Sequence, residues 1–311
     1  MVRRDPQGPD QTRLKIRMTS DLDAPVPHSI GVNRPLQALP RDACDSHMHI
    51  FDPRFAASPH WKRRPPSATV SDYRALQRRL GTSRTVVVTP STYGTDNACT
   101  LDALAQLGES ARGVAVVDQD VTDEELDRLA GQRVCALRVN FVTPQSWGAT
   151  TAGMLDTLAR KIERLGWHVQ VFVNAGQLVG LEPVLRRLPV PLVIDHMALM
   201  DPADALESEA FAAARRLLDD GRTWIKLSGV YMRSREGEPG YADAAAMGRA
   251  LVRAAPQRLV WGSDWPHTTQ PAGTVNDASL ADVLAGWCDS AEVRNRILVG
   301  NPAELYGFAS A

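Results

Sequence analysis

Cysteine is scarce in this chain: Cys44, Cys99, Cys135 and Cys288 are the 4 present in 311 residues. They stand far apart and form no C-x-x-C pair, so neither a zinc knuckle nor a disulfide framework is implied. Four scattered thiols suit a reducing compartment. Charge of one sign is lacking too, because 35 Lys and Arg face 36 Asp and Glu, for a formal net charge of -1. No basic excess is available to draw nucleic acid or a membrane surface, and fixed charge must act locally if it acts at all. Long apolar runs are missing as well. Nothing reaches the roughly 18 apolar residues of a membrane helix. The first forty residues carry Arg3, Arg4, Arg13, Lys15 and Arg17 without an apolar run of signal-peptide length. These absences imply a soluble, cytoplasmic protein with no nucleic-acid or membrane partner.

What is present is a large apolar fraction, 44% of the chain, enough for a sizeable core. Residues 1–40 are polar, rich in Pro and Asp and without periodicity, and read as a flexible or draped extension. Residues 41–311 alternate apolar runs of strand length with amphipathic stretches. The strand candidates are Ala43–His47, Thr85–Thr89, Val114–Val117, Cys135–Asn140, His168–Val173, Leu192–Asp195, Trp224–Leu227 and Arg258–Trp261. Helical spacing of apolar residues marks Val70–Leu80, Leu101–Leu107, Asp123–Leu129, Gly153–Leu165, Gln177–Leu188, Glu207–Asp219, Tyr241–Ala254 and Ala278–Trp287. Eight strands alternating with eight helices predict a single-domain (β/α)8 TIM barrel. A doubly wound sheet is the alternative, but its Gly-rich phosphate turn is absent after the first strand, which runs into Asp45-Ser46-His47-Met48-His49.

In such a barrel the site is built where the strands end. Strand one ends in His47 and His49, two apart and so on one side of the strand. Strand two leads to Ser91 and Thr92, strand three to Asp118, strand four carries Arg138 and Asn140, and strand five ends at Asn174. Strand six ends at Asp195-His196, strand seven at Lys226 and Ser228, and strand eight at Asp264. Each has a plain structural alternative. Arg138 can pair with a neighbouring acid, Asp195 can cap a helix, and Asp264 can cap a turn. Their convergence from several strands points instead to catalysis.

Three of these stretches, Asp45-Ser46-His47-Met48-His49-Ile50-Phe51-Asp52, Val193-Ile194-Asp195-His196-Met197 and Trp261-Gly262-Ser263-Asp264-Trp265-Pro266-His267, resemble the amidohydrolase superfamily. Ser91-Thr92-Tyr93-Gly94-Thr95-Asp96-Asn97 and Arg112-Gly113-Val114-Ala115-Val116-Val117-Asp118 place the resemblance in the branch of 2-pyrone-4,6-dicarboxylate and sugar-acid lactonases. The resemblance implies a reaction centre of His47, His49, His196 and Asp264. Ser91, Arg138 and Arg233 fall where that family holds substrate, and Tyr231 and His267 join them as substrate-side candidates. Two departures stand out: the family's further Arg is replaced within Val142-Thr143-Pro144-Gln145, and its strand-five Tyr by Phe172. They argue against 2-pyrone-4,6-dicarboxylate itself more than against lactone chemistry.

Opening a cyclic ester requires a nucleophilic water, a base and polarisation of the carbonyl oxygen. Asp264 is the candidate base and the imidazoles are candidate oxyanion donors. Arg138 and Arg233 offer forks for a substrate carboxylate. His47, His49, His196 and Asp264 can also hold one divalent ion such as zinc. A binuclear centre would need a strand-four Lys and a strand-five His, where this chain has Arg138 and Asn174. The expectation is a hydrolase of a carboxylated lactone that requires no cofactor, with one metal ion as the alternative. A metal-dependent decarboxylase, a galactarolactone-type isomerase and a non-catalytic binding barrel are the competing readings. A homo-oligomer is compatible with all of them.

Overall fold

In a computed structural model of the chain, residues 25–63, 65–143 and 150–309 are described. Eight parallel strands follow one another around the sheet in chain order: β1 (Cys44–Met48), β2 (Arg84–Val88), β3 (Ala111–Ala115), β4 (Val134–Asn140), β5 (His168–Phe172), β6 (Leu192–Ile194), β7 (Thr223–Leu227) and β8 (Leu259–Trp261). The crossover helices are α1 (Val70–Leu80), α2 (Ala98–Leu107), α3 (Asp123–Ala130), α4 (Ala152–Glu163), α5 (Ala175–Leu185), α6 (Glu209–Asp219), α7 (Ala245–Ala254) and α8 (Asp277–Trp287). This is the (β/α)8 barrel that the alternation of apolar runs predicts.

Local chemistry explains the boundaries. Thr69 and Asp72 form a reciprocal capping box at the start of α1, and Gly81 ends that helix in the left-handed region at φ 87°. Asn174, expected at the catalytic face, instead caps α5 by accepting from the Gln177 backbone N–H, and Asp118 is exposed. A last helix follows α8 in two pieces, α9 (Ala291–Asn295) and α10 (Asn301–Tyr306), joined by a π-helical turn over Arg296–Gly300, and it leaves no mark in the periodicity.

The core has two parts. Most apolar side chains lie between the sheet and the helices. A smaller cluster fills the lumen: Cys44, Val86, Val88, Val114, Ala136, Val193, Trp224 and Val260 pack against Tyr306 and Phe308 from the C-terminal segment. That segment closes one end of the barrel with apolar side chains. The ring itself closes through a parallel bridge between Met48 and Trp265, just past β8.

Residues ahead of β1 contact the barrel. Ile30 N–H donates to Val275 O at 2.8 Å, and the Pro27 carbonyl accepts from Trp265 Nε1 at 2.8 Å.

Candidate active site

A one-residue irregularity in β1 sets the site. Asp45 pairs with Thr85 but Met48 with Val87, so three steps along β1 match two along β2. That extra residue is a β-bulge, which reverses the facing of the residues beyond it. Asp45 accordingly faces outward, where its carboxylate accepts from Tyr73 Oη (3.0 Å), Ser263 N (2.9 Å) and Ser263 Oγ (2.6 Å). Burial pushes the Asp45 pKa up to about 6, against the lowering effect of those hydrogen bonds. His47, two residues on, faces the lumen instead. Closure of the ring brings β8 to it: Asp264 N–H donates to His47 O at 2.8 Å and His49 N–H to Trp265 O at 2.9 Å. Residue 262 must be glycine for that approach, since a Cβ there would lie 2.6 Å from the His47 Cβ.

Four atoms then converge. His47 Nε2 is 3.3 Å from His49 Nε2, and Asp264 Oδ1 lies 3.6, 3.5 and 3.8 Å from the Nε2 atoms of His47, His49 and His196. All four residues are buried. The far side of each ring is held: His49 Nδ1 by Val88 O at 2.8 Å, His196 Nδ1 by Ser228 Oγ at 2.8 Å, and His47 Nδ1 by Lys226 Nζ at 3.2 Å. A carbonyl only accepts, so His49 carries its neutral-state proton on Nδ1 and leaves Nε2 as a lone pair. Burial holds the His47 and His196 pKa values below the ordinary imidazole range. Burial alone would raise Asp264, but His196, His49 and His47 overcome it and keep the carboxyl well below its usual range. Asp264 is therefore ionised at neutral pH.

Beneath this group is a second buried set that links four strands. Asp195 Oδ2 accepts from Arg138 Nε at 2.9 Å and from Gln170 Nε2 at 3.0 Å. Its Oδ1 lies 3.4 Å from His47 Nδ1 and 3.8 Å from Lys226 Nζ. Lys226 also donates to Gln170 Oε1 at 2.6 Å. Burial would raise Asp195, yet His47, Arg138 and Lys226 hold it well below the usual carboxylate range. Burial brings Lys226 down to about 8, partly opposed by Asp195.

Left-handed backbone concentrates here. His196, Met197, Ala198 and Leu199 have φ of 49°, 51°, 53° and 48°, and Asp264 and His267 both have 59°. Non-glycine residues pay on the order of 1–2 kcal/mol each for that region, and such strain clusters at functional sites. Gly229 (φ +65°) makes room for His196, since a Cβ there would approach its Nδ1 to 2.9 Å.

The sequence-derived substrate residues fall in three places. Arg138 is bound to Asp195 through Nε, and its guanidinium carbon lies 5.2 Å from the Phe172 ring centroid. The pairing with a neighbouring acid is thus realised, and Asp195 serves as that acid rather than as a helix cap. Ser91 Oγ accepts from Asn140 Nδ2 at 3.0 Å. Arg233 is half-exposed and 3.5 Å from Asp201. Tyr231 and His267 stand behind Asp264, where Tyr231 Oη donates to Asp264 Oδ2 at 2.5 Å and lies 3.1 Å from His267 Nδ1. Burial would lower His267, but Asp277 overrides this and raises its pKa. The stretch around Gln145 lies outside the described residues. Gln170 and Asp277 escaped the sequence reading. A lone Gln inside the apolar run of β5 is the signal that could have found the first.

His47, His49 and Asp264 each offer a ligand atom within 4.8 Å of the other two, and His47, Asp195 and His196 form a second such group, so the donor types suit one divalent ion. Ligand atoms about 2.0–2.1 Å from a tetrahedral centre stand roughly 3.3–3.4 Å apart, close to the 3.3, 3.5 and 3.6 Å among His47, His49 and Asp264, while His196 Nε2 approaches Asp264 Oδ1 to 3.8 Å. His49 and Asp264 present lone pairs directly. His47 does so when its Nδ1 proton faces Asp195 rather than accepting from Lys226.

A sequential parallel barrel with three imidazoles and a carboxylate converging at its mouth is an enzyme of the amidohydrolase kind. The chain belongs to the amidohydrolase family, whose profile matches residues 44–308. It is 32% identical over 276 residues to a D-galactarolactone isomerase of Agrobacterium fabrum, covering 88% of this chain and 93% of the relative. It is 33% identical over 284 residues to a 2-pyrone-4,6-dicarboxylate hydrolase of Comamonas testosteroni, with the same 88% and 93% coverage. A crystal structure of a probable 2-pyrone-4,6-dicarboxylic acid hydrolase from Acinetobacter baumannii, with citric acid bound, superposes with a TM-score of 0.75 at 28% identity, covering 86% of this chain and all (100%) of that one.

Proposed function

We propose that this protein is a hydrolase that opens a carboxylated lactone by attack of water on the ring ester. The observation that carries the reading is the convergence of three imidazole Nε2 atoms on Asp264 Oδ1, in a family that includes a 2-pyrone-4,6-dicarboxylate hydrolase. Asp264 Oδ1 accepts a proton from the attacking water. An imidazole N–H donates to the carbonyl oxygen as it becomes an oxyanion. His47 can do this when Lys226 donates to its Nδ1, because the ring proton is then on Nε2. Collapse breaks the ring C–O bond, and Asp264 returns its proton to the departing oxygen, so one water is added overall.

His47, His49, His196 and Asp264 would hold a divalent ion, which supplies Lewis-acid polarisation of the carbonyl when bound. Our reading is that none is required and that at most one is held per chain, because β4 carries Arg138 where a bridging Lys would stand and β5 leads into Asn174 where a His would stand. Arg138 and Arg233 are assigned to the substrate carboxylate, and Ser91 lies on the same wall as Arg138. A cytoplasmic location agrees with the free state of all four thiols. Among the described residues no helix is long and apolar enough to cross a membrane.

The test is a panel of 2-pyrone-4,6-dicarboxylate, sugar-acid and muconate-type lactones followed with a pH indicator, with and without chelator. Acid release from at least one carboxylated lactone is expected, and it should survive chelation. Isomerisation without acid release would move the protein to the chemistry of its galactarolactone relative. Elemental analysis near two equivalents of metal, with activity following occupancy, would overturn the single-site reading. Arg138→Lys and Arg233→Lys should each lower kcat/KM on charged lactones by about one to two decades and leave neutral lactones largely unaffected. Equal losses on both would assign the arginines to the fold.

A further inference from the structure

Behind Asp264 runs an unbroken chain of buried polar contacts that leaves the barrel and ends in the N-terminal segment. Tyr231 Oη donates to Asp264 Oδ2 at 2.5 Å. His267 Nδ1 is 3.1 Å from Tyr231 Oη, and His267 Nε2 is 3.1 Å from both oxygens of Asp277. Asp277 opens α8, and its backbone N–H donates to Ser29 Oγ at 3.2 Å. Arg79, from α1, fastens the same point. It donates to Ser29 Oγ and to the Ile30 and Gly31 carbonyls (3.3 and 2.8 Å), and it lies 3.9 Å from Asp277 Oδ2. Ser29, Arg79, Tyr231, Asp264, His267 and Asp277 are all buried.

Donor and acceptor requirements fix the direction of the chain. Tyr231 Oη donates to Asp264 Oδ2, so its oxygen is placed to accept from His267 Nδ1–H. Asp277 only accepts when ionised, so His267 Nε2–H donates to it. His267 thus stands between the Tyr231 oxygen on one side and the Asp277 carboxylate on the other, with Arg79 beyond. In a buried site a partly satisfied chain is costly, and its members are held in one arrangement only while each has its partner.

The chain acts on one oxygen of the catalytic carboxylate. With Oδ2 tied to Tyr231, Oδ1 is the oxygen that faces the three imidazoles. Tyr231 and His267 thereby reach Asp264 from behind, on the side away from the imidazoles.

We propose that the strap at residues 26–31 is part of the catalytic apparatus, with Ser29 and Arg79 positioning Asp264 through Asp277, His267 and Tyr231. The strap lies outside the matched family region, which begins at residue 44. Its contacts concentrate on the β8 loop, on α8 and on Arg79, the elements that hold Asp264 in place.

This inference rests on the proposed lactonase reading, in which Asp264 is the base. The test uses the full chain, assayed well below the thermal midpoint of each variant, on the lactone turned over fastest in the panel. Ser29→Ala is expected to lower kcat about three- to tenfold, the worth of one hydrogen bond, with KM unchanged. Tyr231→Phe should lower kcat about ten- to a hundredfold, because its hydroxyl bonds a charged group. In the Tyr231→Phe background, adding Ser29→Ala should cost nothing further, since the link through which it acts is gone. An unchanged kcat in Ser29→Ala, or the same loss in both backgrounds, would overturn the proposal. If the wild-type protein opens no lactone, the functional reading falls, and the strap is judged on crystal structures of the wild type and Ser29→Ala. A lengthened Tyr231–Asp264 contact in the variant supports the positioning role, and an unchanged contact sinks it.

Discussion

The two ends of the barrel lumen are built by the same strands and are chemically opposite. At the closed end, Ala136, Val193, Trp224 and Val260 pack against Tyr306 and Phe308. Two residues further along β4 and β7, and just past β6, come Arg138, Lys226 and Asp195, all buried, with each cation paired to Asp195. Two residues of strand rise only about 6.6 Å, so the lumen passes from an apolar plug to a charged network within one layer of side chains. The plug explains why the network is so strongly coupled. It places apolar side chains directly behind the charges, so the attraction of neighbouring opposite charges has to offset the cost of burial. A sealed end is thus a condition for the reactive end.

That contrast can be broken from either side, and the expected effects differ in kind. Phe308→Ala should be the largest change, a loss of about 3–5 kcal/mol of stability in denaturant unfolding. It opens the plug beneath Arg84 and Arg112, whose guanidinium carbons lie 5.5 and 4.6 Å from the Phe308 ring centroid. Turnover at a temperature where the variant stays folded should change far less than stability does. A collapse of kcat without loss of stability would contradict the division of labour between the two ends.

Asp264→Asn should do the reverse. Shape is kept and the proton acceptor is lost, so kcat should fall by on the order of 10² or more. Calorimetry should find the melting temperature little lowered. Wild-type turnover in this variant would remove Asp264 from the role of base.

The smallest effect tests the same charge types outside the lumen. Glu182 on α5 meets Arg216 on α6 through contacts of 2.8 and 2.7 Å, and Arg216 holds the Glu182 carboxyl below its usual range. A lowered folded pKa means the stabilisation is complete above the unfolded value of 4.5 and fades as pH falls through the folded value. Glu182→Gln should therefore cost at most about 0.2–1 kcal/mol at pH 7, reduced by solvent screening. Unfolding curves of variant and wild type should converge towards pH 3. A constant gap across that window would show that the loss is not electrostatic.

Legibility varies in the same way from element to element. The expected bounds of α1, Val70–Leu80, coincide with the helix itself, because Thr69, Asp72 and Gly81 mark both ends chemically. The strand expected at Leu192–Asp195 is one residue longer than β6, since Asp195 leaves the strand and enters a left-handed turn that no propensity signals. The helix formed by α9 and α10 is invisible in the sequence because a π-helical turn over Arg296–Gly300 joins the two pieces and shifts the spacing of apolar residues away from a single 3.6 period. Within the site, His47, His49, His196 and Asp264 are readable as polar ends of apolar runs. Asp277 is not, because an acid at a helix start has an ordinary explanation as a partner of the helix dipole.

The sequence by itself determined the order of strands and helices, the barrel they form and the four groups at its mouth. Those depend on residue type and spacing, which are properties of the chain taken in order. Only the tertiary structure decided where each of those groups faces. The bulge in β1 turns His47 inward and leaves Asp45 outside, although both stand on the same side of an unbroken strand. Ring closure at Met48 and Trp265 places Asp264 beside a histidine more than two hundred residues earlier in the chain. Arg138 found Asp195, and Tyr231 found Asp264, because a buried charge or hydroxyl must take the partner that packing brings within reach. Partnership is a property of the closed barrel, and spacing along the chain carries no record of it.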